Sequence, residues 1–213
     1  MNCKAIFFDL DGTLVDSGTD IANCINFTRT HYGLQELTQE HIISSVGDGM
    51  KVLVQRVFPE FQITELHDVG KVFYDFYLTH LLDNTKPYEG VLETLEHFKD
   101  KKKAVITNKH YEPSVMILEG LGLAKYFEIV LGGDSTKLIK PDPFPLQKVM
   151  EQFQVLPTET VMVGDGPTDI LAAKAANVCV CAIGYGQKPV EHLISLEPDH
   201  VVHHFSELQQ IIF

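Results

Sequence analysis

Nowhere in this 213-residue chain do 18 apolar residues follow one another, and the short apolar run near the N-terminus is preceded only by Lys4 and broken by Asp9. These absences argue against a transmembrane helix and a signal peptide, so a soluble, unexported, cytoplasmic protein is expected. Positive charge is scarce as well, with 17 Lys and Arg against 29 Asp and Glu and a formal net charge of −12. The densest basic patch, Lys99 to Lys103, ends an amphipathic stretch and reads as a solvated helix end, so neither nucleic acid nor a membrane is an expected partner. The four cysteines, Cys3, Cys24, Cys179 and Cys181, have no Cys-x-x-Cys spacing and read as small buried residues in a reducing compartment. The ten histidines form no His-Glu-x-x-His or similar ligand pattern, and the chain has no repeats and no low-complexity segment.

Hydrophobic residues make up 45% of the chain, enough for one good core and a smaller satellite. The sequence is organised around Ala5-Ile6-Phe7-Phe8-Asp9-Leu10-Asp11-Gly12-Thr13, an apolar run that ends in two carboxylates one residue apart. Such a run reads as a strand covered on both faces, closed by the Asp11-Gly12 turn. Two acids beside a core require a metal, a proton or a substrate to offset their repulsion. An EF-hand reading fails, because glycine falls at the fourth position and no glutamate closes the loop.

From Asp16 to Asp83 no period-2 pattern appears. Helices are expected at about 17–32, 40–45, 50–58 and 65–82, the first capped by Asp16 or Ser17. After the turn-rich 83–87 segment the pattern alternates. Helices are expected near 91–98, 113–120, 146–153, 168–176 and 206–212, and strands near 104–106, 128–131, 160–163, 178–183 and 199–202. The expected architecture is α/β, a Rossmann-like parallel sheet flanked by helices, with an inserted all-α cap. The core spans 1–15 and 84–213 and the cap 16–83.

Ligands in such sheets sit outside the carboxyl ends of the strands, so the polar residues there are the candidates. They are Asp9 and Asp11, then the hydroxyl and amide of Ile106-Thr107-Asn108-Lys109, then Lys140 ahead of Pro141, then Asp165 and Asp169 in Gly164-Asp165-Gly166-Pro167-Thr168-Asp169. Each alone has a plain structural reading: a helix cap, a solvated lysine, a tight turn. Four carboxylates, an ammonium and a hydroxyl at successive strand ends point instead to a metal and phosphate site.

In order and approximate spacing, Asp9-Leu10-Asp11-Gly12-Thr13, Thr107, Lys140 and Asp165 with Asp169 resemble the four motifs of the haloacid-dehalogenase-like hydrolases. The resemblance covers essentially the whole chain. Within that superfamily, residues 9–20, Gly47-Asp48-Gly49 and 182–186 look most like the phosphoglycolate phosphatase branch. The resemblance implies a Mg²⁺-dependent phosphatase with Asp9 as nucleophile forming an aspartyl-phosphate and Asp11 as general acid and base. It further implies Thr107, Asn108 and Lys140 on the phosphate, and Asp9, the Asp11 backbone carbonyl, Asp165 and Asp169 around the metal.

Asp11 at the second motif position suits phosphate esters, where tyrosine would suggest a dehalogenase and alanine a phosphonate hydrolase. Ser44-Ser45-Val46 lacks the basic residue that a sugar phosphomutase tends to carry ahead of the cap glycine. Gly166-Pro167 departs from the more usual polar pair. The expected partner is a small phosphorylated metabolite, with pyrophosphate, nucleotides and sugar phosphates as alternatives and both monomer and dimer open. Substrate choice is expected in the cap, at Gly47, Gly49, Lys51 and Arg56, although the two cations also read as ordinary surface charges.

Overall fold

The computed structural model describes residues 3–213, so Met1 and Asn2, the start of the expected core segment, lie outside the described residues. In chain order the first elements are β1 (Ala5–Phe8), β2 (Val15–Asp16), α1 (Gly18–His31), α2 (Gln39–Ser45), α3 (Met50–Val57), α4 (Leu66–His80) and β3 (Lys86–Pro87). Then follow α5 (Val91–His97), β4 (Lys102–Ile106), α6 (Tyr111–Gly120), β5 (Ile129–Leu131), α7 (Phe144–Phe153) and β6 (Thr160–Gly164). The last are α8 (Pro167–Ala175), β7 (Cys179–Ile183), α9 (Val190–Ser195), β8 (His200–Val202) and α10 (Leu208–Ile211).

Six strands form one sheet in the order β5-β4-β1-β6-β7-β8, and every pairing in it is parallel. A parallel sheet needs a cover on both faces, and β1 has the composition for it: all four of its residues are buried. Alternation along the strand sends Ile6 and Phe8 to one face and Ala5 and Phe7 to the other. On the first face they meet Leu95 of α5 and Ile117 of α6, and on the second Val149 of α7 and Ala172 of α8. The expected α/β architecture with a Rossmann-like sheet is the one observed.

The register positions the site. Phe8 pairs with Val105 of β4 on one side and Val163 of β6 on the other, so the next residues of all three strands leave the sheet together. Those residues include Asp9, Thr107 and Asp165. The connections from β1 run to β4 and β5 on one side and to β6, β7 and β8 on the other. The strand ends beside β1 are therefore the switch point where such sheets bind ligands.

Between β2 and β3 the regular elements are all helices, and the two short strands pair with each other in antiparallel fashion through Val15–Pro87 and Asp16–Lys86. Two-residue strands carry no period, so the sequence at 83–87 shows only turn residues. Helix α1 starts after Ser17, but the Ser17 hydroxyl makes no cap; it donates to Asp11 Oδ1 at 2.5 Å. Helix α6 begins at Tyr111, which puts Pro113 at its third residue, and α10 is limited to four residues. Helix α9 was not expected: Leu193 is its one buried residue, so it has no apolar stripe to detect.

Asp20, buried in the first turn of α1, ties the two crossings of the chain together. Its carboxylate accepts from the backbone N–H of Asn84 at 2.9 and 3.0 Å, the Asn84 side chain at 2.8 Å, the Thr85 N–H at 2.8 Å and the Thr85 hydroxyl at 2.7 Å. Burial alone would raise its pKa, but these donors outweigh burial and hold it below the ordinary value. A depressed carboxylate stabilises the fold above its unfolded pKa of about 3.9, and that contribution is lost as pH falls through the folded value. Asp20→Asn is therefore expected to lower stability by about 1–3 kcal/mol at pH 7. Urea midpoints at pH 7 and pH 3 check this, because the gap between variant and wild type should narrow at the lower pH.

Candidate active site

Asp9 and Asp11 leave the end of β1 toward different partners. The Asp9 carboxylate accepts from the Leu10 N–H at 2.8 Å and lies 3.2 Å from Lys140 Nζ. The Asp11 carboxylate instead meets the Ser17 hydroxyl and Lys109 Nζ, the latter at 3.0 Å from Oδ2. One acid is thus held by a lysine on each side, and both remain on the wall of one cavity with Thr107, Asn108 and Asp165.

Carboxylate oxygens of Asp9, Asp165 and Asp169 lie within 4.8 Å of one another. Asp165 accepts from the Thr13 hydroxyl at 3.1 Å and the Gln187 N–H at 2.7 Å. Burial, followed by repulsion from Asp9 and Asp169, still pushes its pKa up to about 8. Asp169 accepts from the Gly166 N–H at 3.0 Å and from Lys140 Nζ at 2.6 Å; burial pushes it upward against the pull of that ammonium. Three hard oxygen donors that resist sharing negative charge fit a divalent cation of the Mg²⁺ type, whose binding removes the repulsion. Gly12 lets the turn close over this cluster: its φ is +81°, and a methyl group there would sit 2.2 Å from Asp165 Oδ2.

Lys140 is 1% exposed and bridges Asp169 to Asp9. Burial alone would strip its proton, but the two carboxylates more than offset this and hold its pKa above the ordinary value. Pro167 opens α8 as its first residue, a position where the missing N–H costs nothing, and the Gly166-Pro167 turn leaves Asp165 and Asp169 both in the site. Thr107 is buried, and its Oγ1 accepts from the Lys109 N–H at 3.2 Å. Asn108 is buried too, but both N–H groups of its amide are engaged, by Gly47 O at 2.9 Å and Lys140 O at 2.8 Å.

The Gly47-Asp48-Gly49 loop roofs the cavity from the helical segment. Its glycines have φ of +117° and +88°, which a side chain would strain, and both line the cavity. Lys188 reaches the same roof from the loop after β7, donating to Ser44 O at 2.7 Å. Lys51 and Arg56 do not line the cavity. Lys51 lies in a neighbouring surface groove with Ile63 and Leu66, and Arg56 pairs with Asp48 at 2.5 Å and donates to Ser45 O. The helix that carries them turns Met50 and Leu53 inward instead, and the cations on the cavity wall are Lys109 and Lys188.

Lys109 has no role in the pattern that the sequence shows. It stands two residues after Thr107 in the same strand-end loop, and that position was its only signal.

The family model for haloacid dehalogenase-like hydrolases matches residues 6–183. A phosphoglycolate phosphatase of Chromobacterium violaceum is 38% identical over 216 residues, covering 98% of this chain and 96% of that protein. One from Photobacterium profundum is 35% identical over 219 residues, covering 98% and 95%. Among solved structures, a predicted phosphoglycolate phosphatase from Haemophilus somnus 129PT superposes with a TM-score of 0.94 at 31% identity, covering 99% of this chain and 98% of that one. With these matches spanning the sheet, the helical segment and every strand end that lines the cavity, the chain belongs to the haloacid dehalogenase-like hydrolase family.

Proposed function

We propose that the protein is a Mg²⁺-dependent phosphatase of a small phosphomonoester, of the phosphoglycolate kind, working through an aspartyl-phosphate. The observation that carries this reading is the placement of Asp9 at the cavity wall, 3.2 Å from a buried ammonium and within 4.8 Å of two further carboxylates. An unblocked carboxylate held by a cation is a nucleophile, and Asp11 stands beside it with separate partners.

An Asp9 oxygen attacks phosphorus in line, and the bond from phosphorus to the ester oxygen breaks. Asp11 gives its proton to the departing alkoxide, then takes a proton from the water that attacks the aspartyl-phosphate. That second attack breaks the bond between phosphorus and the Asp9 oxygen and releases phosphate. Thr107 and Lys140 bind the phosphoryl oxygens, Lys140 also balancing the charge of Asp9. Asp9, Asp165 and Asp169 with the Asp11 backbone carbonyl hold the Mg²⁺, which when bound supplies positive charge against the phosphoryl oxygens.

In this reading residues 1–15 and 84–213 are the catalytic core and 16–83 the cap. Gly47 and Gly49 let the roof approach the substrate, and the amide of Asn108 holds that roof to the core. Four free thiols, three of them buried, suit the reducing cytoplasm.

The test is a panel of 2-phosphoglycolate, sugar phosphates, nucleotides and pyrophosphate assayed with Mg²⁺ and with a chelator. Phosphomonoester hydrolysis that disappears on chelation is expected, and a clear preference for pyrophosphate overturns the reading. Mg²⁺ at a hundred times its Kd should stabilise the fold by about 2.7 kcal/mol, on the order of 5–10 °C in thermal midpoint. Asp165→Asn should abolish that shift, and a shift that survives would place the ion elsewhere.

A further inference from the structure

Among the described residues two buried polar side-chain atoms have no hydrogen-bond partner, Tyr77 Oη and Gln187 Nε2, and both residues line the active-site cavity. A buried group without a partner is destabilising, so two of them facing one cavity mark where a ligand's polar atoms sit. Gln187 belongs to the phosphoryl side, because its backbone N–H is on Asp165 at 2.7 Å. Tyr77 stands on the other side, beside Asp11. It is 3% exposed, comes from α4, and its ring centroid lies 4.6 Å from Lys109 Nζ.

Lys109 is 9% exposed, and Asp11 is the one carboxylate it pairs with. The other cations around the cavity are engaged or displaced. Lys140 is held between Asp169 and Asp9, and Lys188 is held on the roof at Ser44 O. Lys51 and Arg56 lie off the wall. Ile21, Leu53 and Phe73 on the lining offer an anion nothing, the Tyr74 hydroxyl is spent on Glu112 at 2.8 Å, and His110 is the other polar ring that reaches the wall.

The mechanism above fixes the ester oxygen of the substrate within reach of Asp11. In a phosphate ester of a short α-hydroxy acid the carboxylate is one carbon from that oxygen, so it falls among the nearest neighbours of Asp11. The Ser17 hydroxyl on Asp11 lies off the cavity wall, so the neighbours that face the cavity are the Lys109 ammonium and, beside it, the Tyr77 hydroxyl, whose own proton has no acceptor. We propose that Lys109 and Tyr77 form the receptor for a carboxylate on the leaving group, and that this pair selects phosphate esters of short hydroxy acids over those of neutral alcohols. The proposal rests on the phosphatase reading. Lys109 comes from the loop after β4 and Tyr77 from the helical segment, so the receptor exists only while the two are packed together. Asn108 on Gly47 O and Lys188 on Ser44 O hold them so.

The test uses two inert phosphonates of equal length, 3-phosphonopropionate and propylphosphonate, which differ in one carboxylate against a methyl group. Their Kd values are measured by calorimetry on the Mg²⁺-loaded protein, so no turnover is needed. Wild type is expected to prefer the carboxylate by on the order of 10²-fold. Lys109→Met should bring the ratio close to one, and Tyr77→Phe, which removes only the hydroxyl, should reduce it several-fold; melting curves confirm that both variants are folded. A wild-type ratio near one, or a ratio unchanged in folded Lys109→Met, overturns the receptor. p-Nitrophenyl phosphate distinguishes this from failure of the broader reading: if wild type hydrolyses it while the ratio is one, only the receptor falls, and if wild type does not, the phosphatase reading falls with it.

Discussion

Asp9→Asn is expected to lower phosphatase activity by on the order of 10⁴-fold or more, with the protein still folded. The amide keeps the size of the carboxylate and cannot act as the nucleophile, so no aspartyl-phosphate forms. Structure should be spared, because the loop does not depend on the charge. The Leu10 N–H retains an acceptor at 2.8 Å, and Lys140 retains Asp169 at 2.6 Å. The thermal midpoint should therefore move by only a few degrees, since no cavity opens and no buried charge loses its last partner. Activity on 2-phosphoglycolate with Mg²⁺, beside a melting curve, provides both readings. Retention of full activity would remove the covalent mechanism and leave a water attacking phosphorus directly.

The sheet and its polar strand ends were legible because parallel strands are covered on both faces and read as apolar runs such as Ala5–Phe8 and Thr160–Gly164. Where the period existed, elements emerged within a residue or two, as with α3 at Met50–Val57. Where it did not, they were missed: the two-residue β2 and β3, and α9 with one buried residue. The candidate site divides in the same way. Asp9, Asp11 and Asp165 stand just past a strand end, Lys140 precedes a proline, and Asp169 follows Asp165 by four residues in the first turn of α8, so spacing marks them. Lys51 and Arg56 have charge and nearness to a glycine loop in their favour, and charge says nothing about which side of a helix faces inward. The apolar neighbours Met50 and Leu53 carried that information, and they face the cavity. Lys109 was illegible for the opposite reason. A half-buried lysine is recognised by the groups around its ammonium, and Asp11 and Tyr77 lie 98 and 32 residues away in sequence.

Lys140→Met should damage both stability and catalysis, and the reason lies in the count of charges. With the ammonium gone, Asp169 is left fully buried with only the Gly166 N–H on its other oxygen, and Asp9 loses its nearest cation. Removing one partner of a buried pair costs about 3–5 kcal/mol, because the remaining charge is neither solvated nor balanced. The variant's own pH dependence identifies that charge. A carboxyl whose folded pKa is raised favours the fold fully below its unfolded value of about 3.9, and that support is lost as pH rises through the folded value. Urea midpoints of metal-free Lys140→Met should therefore rise as pH is taken from 8 to 5, and the deficit against wild type should shrink as Asp169 takes up a proton. Catalysis should fall by about 10²–10³-fold in kcat, the usual cost of removing one charge aimed at a developing anion. Lys140→Arg should not restore it, since a planar guanidinium does not fit where a compact ammonium sits 2.6 and 3.2 Å from two carboxylates. A Lys140→Met protein as stable as wild type at pH 8 would mean that Asp169 is already neutral in the fold, and that the 2.6 Å contact is a hydrogen bond to an acid in place of an ion pair.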